Sequence, residues 1–381
     1  MFDFCIVGGG MVGAATALGL AQKGFSIALV EEYMPKPFDS ADGPDMRVSA
    51  ISVTSQALLE SLGAWQYIED MRTCSYRRLS VWERPQCRTD FVSDDINAPR
   101  LGYIIENRVL QLGLHQALAH FANVTWFSDS PVQKIITGAA PEVHLTDKQQ
   151  LHCRWLIGAD GLHSQVRDAA CIGTQGWQYR QQAFAIQIET RAQQQDITWQ
   201  QFTPTGPVAF LPMYQQYASL VWYNSTANIN RLKALSPIAL KQEIIRCFPD
   251  ELVDFDVLKT AHFSLMRMHA KQYVKERVVL IGDAAHAINP LAGQGVNLGF
   301  KDVSALLACV TDELPKTDDF LRYESKRRKD NLLMMTAMDA IYGTFKQTNP
   351  VIKTLRNLGF TLANNGGVVK HQVMKYAMGL N

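Results

Sequence analysis

The most restrictive feature of the sequence is a glycine-rich turn near its start, between an apolar run and a run of helix-forming residues. Residues 2–7 read FDFCIV, which is typical of a strand buried in a parallel sheet. The turn GGGMVG follows, and the helical pattern after it ends at Gly24, a residue type that often closes a helix. A second strand, FSIALVEE, comes next. This order predicts a parallel sheet covered by helices.

Three glycines of the turn, Gly8, Gly10 and Gly13, have the spacing G-x-G-x-x-G. Between a strand and a helix, the first permits a tight turn, the second lets a pyrophosphate approach the backbone, and the third lets helix and strand pack closely. The positive end of the helix dipole then faces the phosphates. Glu31 lies 18 residues after Gly13, where a carboxylate can accept a hydrogen bond from a ribose hydroxyl. The pattern predicts a site for FAD or NAD rather than NADP.

Two later segments repeat the order strand, turn and helix. Residues 155–167 read WLIGADGLHSQVR, with Asp160 at the turn, and residues 277–303 read RVVLIGDAAHAINPLAGQGVNLGFKDV, with Asp283 at the turn. The helix after the third turn starts at GQGVN, and its start offers free N–H groups and small residues to a ligand. Asp283 alone could be a helix N-cap. We expect His286 to be hydrogen-bonded locally, because no partner acid is identifiable from the sequence.

The middle of the chain, residues 183–268, alternates apolar and polar side chains between turn signals, as in WQQFTPTGPVAFLPM and YASLVWYN. Such alternation is typical of an antiparallel sheet with one covered face. We expect this sheet to cover the cofactor and to present Phe210, Pro212 and Trp222 to a substrate. The alternative for each of the three is an ordinary core position.

The charge is balanced overall but not along the chain. The net charge of +1 argues against nucleic-acid binding. From Leu321 onward, ten Lys and Arg stand against three Asp and Glu, whereas the preceding chain has 27 against 33. This basic C-terminal segment could contact a membrane surface or a partner protein, or it could be a solvated helix face.

The cysteines and the start of the chain indicate a compartment and argue against a metal centre. The seven cysteines include no C-x-x-C pair, which disfavours a zinc cluster and fits a reducing environment. No signal peptide precedes the first strand, and no apolar run reaches ~18 residues. We therefore expect no metal, and a cytoplasmic protein that is at most peripheral to the inner membrane.

The three glycine-rich segments together resemble the FAD-dependent aromatic hydroxylases of the para-hydroxybenzoate hydroxylase type. The resemblance implies tightly bound FAD, NADH or NADPH as a transient co-substrate, and O2 that reacts through a flavin hydroperoxide to hydroxylate a ring. No second G-x-G-x-x-G follows a strand, so no separate nicotinamide domain is predicted. Because the flavin carries the chemistry, no catalytic side chain is assigned, and Arg47 and Pro290 are the candidates beside the ring.

The resemblance also implies which residues hold FAD. The ADP half would lie against the first turn, Asp160 near the pyrophosphate and Asp283 at the ribityl hydroxyls. Asn107 or Arg108 would contact the cofactor from the first long helix. The implied set comprises Gly8, Gly10, Met11, Val12, Gly13, Glu31, Glu32, Arg47, Asn107, Arg108, Asp160, Asp283, Pro290, Gly293, Gln294, Gly295, Val296 and Asn297.

Further stretches, including MRVSAIS, YRRLSVWE, LGYIIENRVLQ and KYAMGL, are similar to the bacterial ubiquinone-biosynthesis hydroxylases over essentially the whole chain. That similarity implies a prenylated benzoquinol substrate, and a C-terminal segment that meets an isoprenoid tail, a membrane or other proteins of the same biosynthesis. The alternatives are a sibling hydroxylase acting at another ring position, a hydroxylase of a small phenol, a flavin reductase, and a flavin-bearing scaffold without turnover.

The length of 381 residues exceeds the size of one hydrophobic core, about 250–300 residues. We expect an α/β (α+β) fold, in which a Rossmann-type FAD-binding domain carries an inserted antiparallel sheet and C-terminal helices. The predicted FAD-binding domain is discontinuous and comprises 1–72, 100–182 and 273–325. The predicted substrate sheet comprises 73–99 and 183–272, and the C-terminal helical segment comprises 326–381.

Overall fold

A computed structural model describes residues 1–193, 195–288, 295–346, 349, 356 and 357. The strands are β1 (Phe2–Val7), β2 (Ile27–Glu31), β3 (Val48–Ser52), β4 (Cys74–Tyr76), β5 (Arg78–Trp82), β6 (Arg88–Val92), β7 (Gly102–Glu106), β8 (Val124–Ser128), β9 (Val132–Ile136), β10 (Glu142–Leu145), β11 (Gln150–Gly158), β12 (Thr174–Thr190), β13 (Ile197–Gln201), β14 (Val208–Pro212), β15 (Tyr217–Ser225), β16 (Phe255–Ala270), β17 (Val274–Lys275), β18 (Val278–Leu280) and β19 (His286–Ala287). The helices are α1 (Met11–Gln22), α2 (Val53–Ser61), α3 (Trp65–Met71), α4 (Asn107–Leu118), α5 (Gln165–Ala169), α6 (Thr226–Lys233), α7 (Pro237–Cys247), α8 (Gly295–Cys309) and α9 (Thr317–Lys346). Short 3-10 helices lie at Ser93–Ile96 and Gly282–Ala284.

The first sheet contains the strands that precede the three glycine-rich turns. Its order is β17-β18-β11-β1-β2-β8, with β10 and β9 attached beside β11. β1 pairs in parallel with β2 and β11, and β11 pairs in parallel with β18. Phe4, Cys5 and Ile6 of β1 are fully buried, as expected for a parallel strand covered on both faces. The carboxyl ends of β1, β11 and β18 therefore bring the three turns to one edge of the sheet.

The second sheet has the order β19-β16-β12-β15-β14-β13-β5-β6 and is antiparallel except where β13 meets β5. Side-chain alternation gives it two different faces. On β12, Phe184 and Ile186 pack into an apolar cluster with α6 and α7. Their neighbours Ala183 and Ala185 face a cavity on the opposite side. The predicted antiparallel sheet with one helix-covered face is confirmed.

A third, three-stranded sheet has the order β3-β7-β4 and closes one side of the same cavity. The mixed α/β architecture agrees with the predicted fold class. The residue boundaries of the domains stay a prediction: β12 runs from Thr174 to Thr190, across the proposed boundary at 182, and α9 runs through residue 326 without a break. The helices of the described part of the chain are each too short or too polar to cross a bilayer.

Candidate active site

The first turn has the backbone geometry that the sequence pattern predicts. Gly8 has a φ of +103°, and a Cβ at this position would overlap the carbonyl oxygen of Ala159. A Cβ at Gly13 would overlap the carbonyl oxygen of Gly8, so only glycine lets α1 pack this closely. A Cβ at Gly10 would meet nothing within 4 Å. Of these three glycines, Gly10 is the one whose backbone is open to a ligand, and a pyrophosphate would approach there.

The N-terminus of α1 is free to bind an anion. Gly10 is its N-cap residue and supplies no side-chain cap, and no acidic residue lies in the first turn. The first N–H groups of such a helix, from Met11 onward, lack intrahelical partners and carry partial positive charge. Val12 points the other way: its side chain would lie 2.6 Å from a Cβ at Gly299 and 3.2 Å from one at Gly282. Val12 thus packs α1 against α8 and the Gly282 turn.

Two side chains of α4 stabilise the turn and were missed by the sequence reasoning. Gln111 Nε2 donates to the carbonyl oxygen of Gly9 at 3.1 Å, and His115 Nε2 lies 2.7 Å from the same oxygen. Burial lowers the pKa of His115, which keeps the ring neutral at neutral pH. Glu31 ends β2 beside Gly9, its Oε1 accepts from the backbone N–H of Tyr33 at 3.0 Å, and Glu32 follows directly.

The second turn holds an acid that has unused hydrogen-bonding capacity. Asp160 Oδ2 accepts from the backbone N–H of Val166 at 3.1 Å, whereas its Oδ1 is buried without a partner among the described residues. Burial raises the pKa of Asp160, with hydrogen bonds from Ser164 and Val166 opposing it. A buried carboxylate oxygen without a donor costs free energy, so this oxygen is suited to a ligand hydroxyl or a bound water.

Arg167 joins the second and third turns. Its Nη1 donates to the carbonyl oxygen of Ala284 at 3.1 Å and its Nη2 to that of Leu162 at 3.0 Å. The side chain is buried. Arg167 is the last residue of the segment WLIGADGLHSQVR. Its position in the sequence could not show that its side chain reaches a loop more than a hundred residues away.

Asp283 lies in the third turn, directly after Gly282, whose φ is +57°. It is not a helix N-cap, because the 3-10 helix Gly282–Ala284 already contains it and α8 begins only at Gly295. Among the described residues its carboxylate has no hydrogen-bond partner. The side chain is exposed, whereas desolvation by the surrounding protein atoms raises its pKa, with His286 acting in the opposite direction.

A cavity of about 510 Å³ lies beside these turns, under the second sheet. The first residues of α8, Gly295, Val296 and Asn297, form one wall, and Arg47 and Asn107 form another. Arg47 is exposed and its guanidinium lies 5.2 Å from the centre of the Phe263 ring. Most of the remaining walls are aliphatic or aromatic side chains of the second sheet, together with Met338 and Ile341 of α9.

Asn297, a residue of the implied set, has its side chain engaged in hydrogen bonds within the protein. Asn297 Oδ1 accepts from the backbone N–H of Ser52 at 3.0 Å and from Ser55 Oγ at 2.7 Å, and its Nδ2 donates to Ala50 O at 2.7 Å. Asn297 thus joins α8 to β3, which leaves its backbone for a ligand.

Of the pair Asn107 and Arg108, only Asn107 lines the cavity, where its Oδ1 accepts from Ser49 Oγ at 2.7 Å. Arg108 Nε instead pairs with Asp45 Oδ2 at 2.6 Å, and its Nη1 donates to the carbonyl oxygens of Lys36 and Pro37.

The expectation that Phe210, Pro212 and Trp222 face the substrate was wrong about the face of the sheet. Phe210 stacks on Trp199, with ring centroids 5.6 Å apart, and Trp222 lies 5.3 Å from Phe248, all within the cluster under α6 and α7. Pro212 shares the face of Phe210, because residues two apart on a strand point the same way.

The cavity face instead presents the intervening residues Ala209, Leu211, Val221 and Tyr223. The implied contacts Pro290, Gly293 and Gln294 lie outside the described residues and stay predictions.

Two tyrosines bring polar groups to the apolar cavity. Tyr76 and Tyr223 line it, and in the described part of the chain neither hydroxyl has a hydrogen-bond partner. Burial raises the pKa of Tyr76 to about 12 and raises that of Tyr223 as well, so both hydroxyls stay protonated at neutral pH. Within the described ranges, no three His, Cys, Asp or Glu residues come together as a metal site would require.

Comparison with known proteins agrees with this geometry. The "FAD binding domain" family model matches residues 1–336. The chain is 42% identical to the 3-demethoxyubiquinol 3-hydroxylase of Escherichia coli K12, over 99% of this chain and 98% of that protein. It is 32% identical to the mitochondrial ubiquinone biosynthesis monooxygenase COQ6 of Xenopus tropicalis, over 99% of this chain and 93% of that one.

A solved structure shows the same fold. The p-nitrophenol 4-monooxygenase PnpA of Pseudomonas putida DLL-E4 superposes with a TM-score of 0.81 at 19% identity, covering 100% of this chain and 98% of that one. The glycine cradle, the free end of α1 and the unpartnered oxygen of Asp160 fit a bound dinucleotide. The chain therefore belongs to the family of FAD-dependent monooxygenases of ubiquinone biosynthesis, and FAD is its cofactor.

Proposed function

We propose that the protein hydroxylates the ring of a polyprenyl benzoquinol. We propose a 3-demethoxyubiquinol as substrate and the 3-position as the site of hydroxylation, as in the name of the E. coli relative. The observation that carries this proposal is the 42% identity, which extends over nearly the full length of both chains. The identity to COQ6 proteins is lower, 32% for the frog protein, and supports a sibling hydroxylase acting at another ring position as the second candidate.

FAD, when bound, takes electrons from NADH or NADPH and activates O2 for oxygen transfer to the ring. The residues of this chain hold and orient it. We assign the pyrophosphate to the N–H groups of α1 and to the open backbone at Gly10, and the adenosine ribose to Glu31. Asp283, which has no hydrogen-bond partner in the described part of the chain, would accept hydrogen bonds from the ribityl hydroxyls.

The reacting end of the site would lie between the start of α8 and Arg47. The first N–H groups of α8 and the cationic guanidinium both favour negative charge, which a reduced flavin carries near one end of its ring. Asn107 would contact the same region from the start of α4. Pro290 and the glycines that follow it are proposed here on the family resemblance alone.

The quinol would occupy the cavity under the second sheet. Its mostly apolar walls exclude water from the reacting ring, and the protonated hydroxyls of Tyr76 and Tyr223 can donate to the ring oxygens. A hydroxyl that has no protein partner in the described part of the chain is available for such a hydrogen bond. A purely apolar ligand would leave both hydroxyls unsatisfied, so this pair favours an oxygenated ring.

The proposal extends to the isoprenoid tail and to the membrane. Met338 and Ile341 of α9 line the cavity, and Ile341 is 37% exposed, so the cavity reaches the surface beside this helix. An isoprenoid tail would leave the cavity beside α9, and the sequence from Leu321 onward has ten Lys and Arg against three acids. That charge suits an anionic membrane surface or another protein of the same biosynthesis.

The test is a reaction of the purified yellow protein with NADH or NADPH and a short-chain demethoxyquinol. We expect a product heavier by one oxygen atom, and consumption of the reduced nicotinamide that rises when the quinol is added. Peroxide formation without an oxygenated product would refute the assigned substrate. Equal activity with soluble phenols that lack a prenyl tail would favour a hydroxylase of small phenols instead.

A further inference from the structure

A buried polar cluster lies behind the turn that carries Asp283. It is formed by side chains from four parts of the chain: His269 of β16 with Tyr273 of the loop after it, His286 of β19, Asp302 of α8, and Arg327 and Asn331 of α9. We call it the Asp302 cluster. All six side chains are buried, and Asp302 and Asn331 are fully inaccessible to solvent. Burying a charge at this depth requires compensation by partners.

Asp302 is the centre of the cluster and uses both oxygens. Oδ2 accepts from the backbone N–H of Gly282 at 3.1 Å and pairs with Nε2 of His286. Oδ1 accepts from Arg327 Nε at 2.8 Å and from Asn331 Nδ2 at 3.2 Å. Four donors on one carboxylate fill its acceptor capacity. Burial acts to raise the pKa of Asp302, but His286 and Arg327 outweigh it and hold the pKa below its ordinary value.

The two oxygens connect two different parts of the fold. The hydrogen bonds of Oδ2 join Asp302 to the turn that holds Asp283, at Gly282 and at His286. Those of Oδ1 join it to α9. Asp302 itself stands on α8, the helix whose first residues, Gly295 to Asn297, line the cavity. One carboxylate therefore fixes the Asp283 turn against the helix whose first residues line the cavity.

We propose that Asp302 and His286 are positioning residues for FAD, because they set the Asp283 turn at the right place relative to the start of α8. Both side chains are buried, so they act on the cofactor through the backbone and not by contact. Arg327 and Asn331 belong to the same cluster but contact Asp302 from the side of α9. Arg327 neutralises its charge, and Asn331 donates a hydrogen bond to it. The inference concerns cofactor binding and is independent of which quinol the protein uses.

The experiment compares the two sides of the cluster. His286→Leu removes a donor from the turn side, and Asn331→Leu removes a donor from the α9 side of the same carboxylate. The FAD dissociation constant is measured by flavin fluorescence on apoprotein, and the melting temperature of the apoprotein is measured in parallel. A hydrogen bond to a charged group strengthens an association by about a factor of ten or more, so misplacing the turn should weaken FAD binding at least about tenfold.

The expected result is asymmetric. His286→Leu raises the FAD dissociation constant at least about tenfold, while Asn331→Leu lowers the melting temperature and changes the dissociation constant by less than about twofold. His286→Gln, whose amide nitrogen can donate in place of Nε2, restores most of the affinity. If His286→Leu does not fold, His286→Met, which likewise removes the donor from the turn side, is measured instead and should weaken FAD binding by a similar factor.

Two results would overturn the proposal. The first is an equal loss of FAD affinity in the His286→Leu and Asn331→Leu proteins, which would make the cluster part of the general core. The second is unchanged FAD affinity in the variant measured on the turn side. A variant that loses quinol hydroxylation but keeps normal FAD affinity would also contradict the positioning role, because the FAD affinity is unchanged. The lost hydroxylation would then bear only on the proposed substrate.

Discussion

The two faces of the second sheet give the sharpest prediction, because adjacent residues of β14 point in opposite directions. Phe210 is 3% exposed and packs between Trp199 and the helices α6 and α7, whereas Ala209 faces the cavity. Phe210→Ala removes a buried ring and leaves a cavity, which typically costs about 3–5 kcal/mol of unfolding free energy. Ala209→Leu adds apolar volume on the other face, where the cavity provides the space.

We therefore expect opposite phenotypes from the two variants. Phe210→Ala should unfold at clearly lower urea concentration, while the folded fraction keeps its KM for the quinol within about twofold. Ala209→Leu should keep its unfolding midpoint and raise the KM for the quinol about tenfold or more. A leucine side chain would occupy space that the ligand uses, and the lost apolar contacts are worth roughly 1.5–3 kcal/mol of binding free energy. Both should bind FAD normally.

Urea denaturation followed by tryptophan fluorescence measures the stability, and quinol-dependent oxidation of NADH or NADPH measures KM. The reasoning would be refuted if Phe210→Ala changed KM with little loss of stability, or if Ala209→Leu destabilised the fold while KM stayed constant. Either result would mean that the assignment of the two faces is reversed.

Three further predictions follow from single contacts. Gly10→Ala should leave the stability of the apoprotein unchanged but abolish FAD binding, measured by fluorescence titration. Gly13→Ala should lower both stability and FAD binding, because its Cβ would overlap the Gly8 backbone. Equal effects of the two variants would contradict the assigned pyrophosphate position. Burial, followed by the charges of His286 and Arg328, lowers the pKa of His269 to about 4. Between about pH 4 and 6.5, the unfolded state therefore binds a proton that the folded state does not. The free energy of unfolding should rise with pH across that window by up to ~1.4 kcal/mol per pH unit. His269→Gln should reduce that slope in urea titrations at several pH values, and an unchanged slope would assign it to other groups. Deletion of 345–381 should reduce turnover of a long-chain quinol more than FAD binding, and equal loss of both would show that the segment is only core.

The sequence predicted the geometry of the first glycine-rich turn well because its requirements are local. A tight turn, a close helix contact and an acid at the end of the next strand depend on residues within one βαβ unit, so spacing indicated the backbone roles of Gly8 and Gly13 and the position of Glu31. Alternation in the second sheet also indicated two faces correctly. It could not indicate which face is the cavity, because that depends on where α6 and α7 pack, and Phe210 was assigned to the wrong side for this reason.

The contacts that the sequence could not show join distant segments. His286 was expected to be hydrogen-bonded locally, and its partner acid is Asp302, on the following helix. Gln111 and His115 reach the first turn from α4, and Arg167 reaches the third turn from α5. None of these pairs has a spacing that the helix or strand period could detect.

The proposed reaction transfers one oxygen atom from O2 to a prenylated quinol ring with FAD and a reduced nicotinamide. Mass spectrometry of the quinol product after turnover under isotopically labelled O2 tests this reaction. We expect one labelled oxygen atom in the ring product, with NADH or NADPH consumed in equal amount. Consumption of the nicotinamide without labelled product, or a product whose new oxygen comes from water, would contradict it.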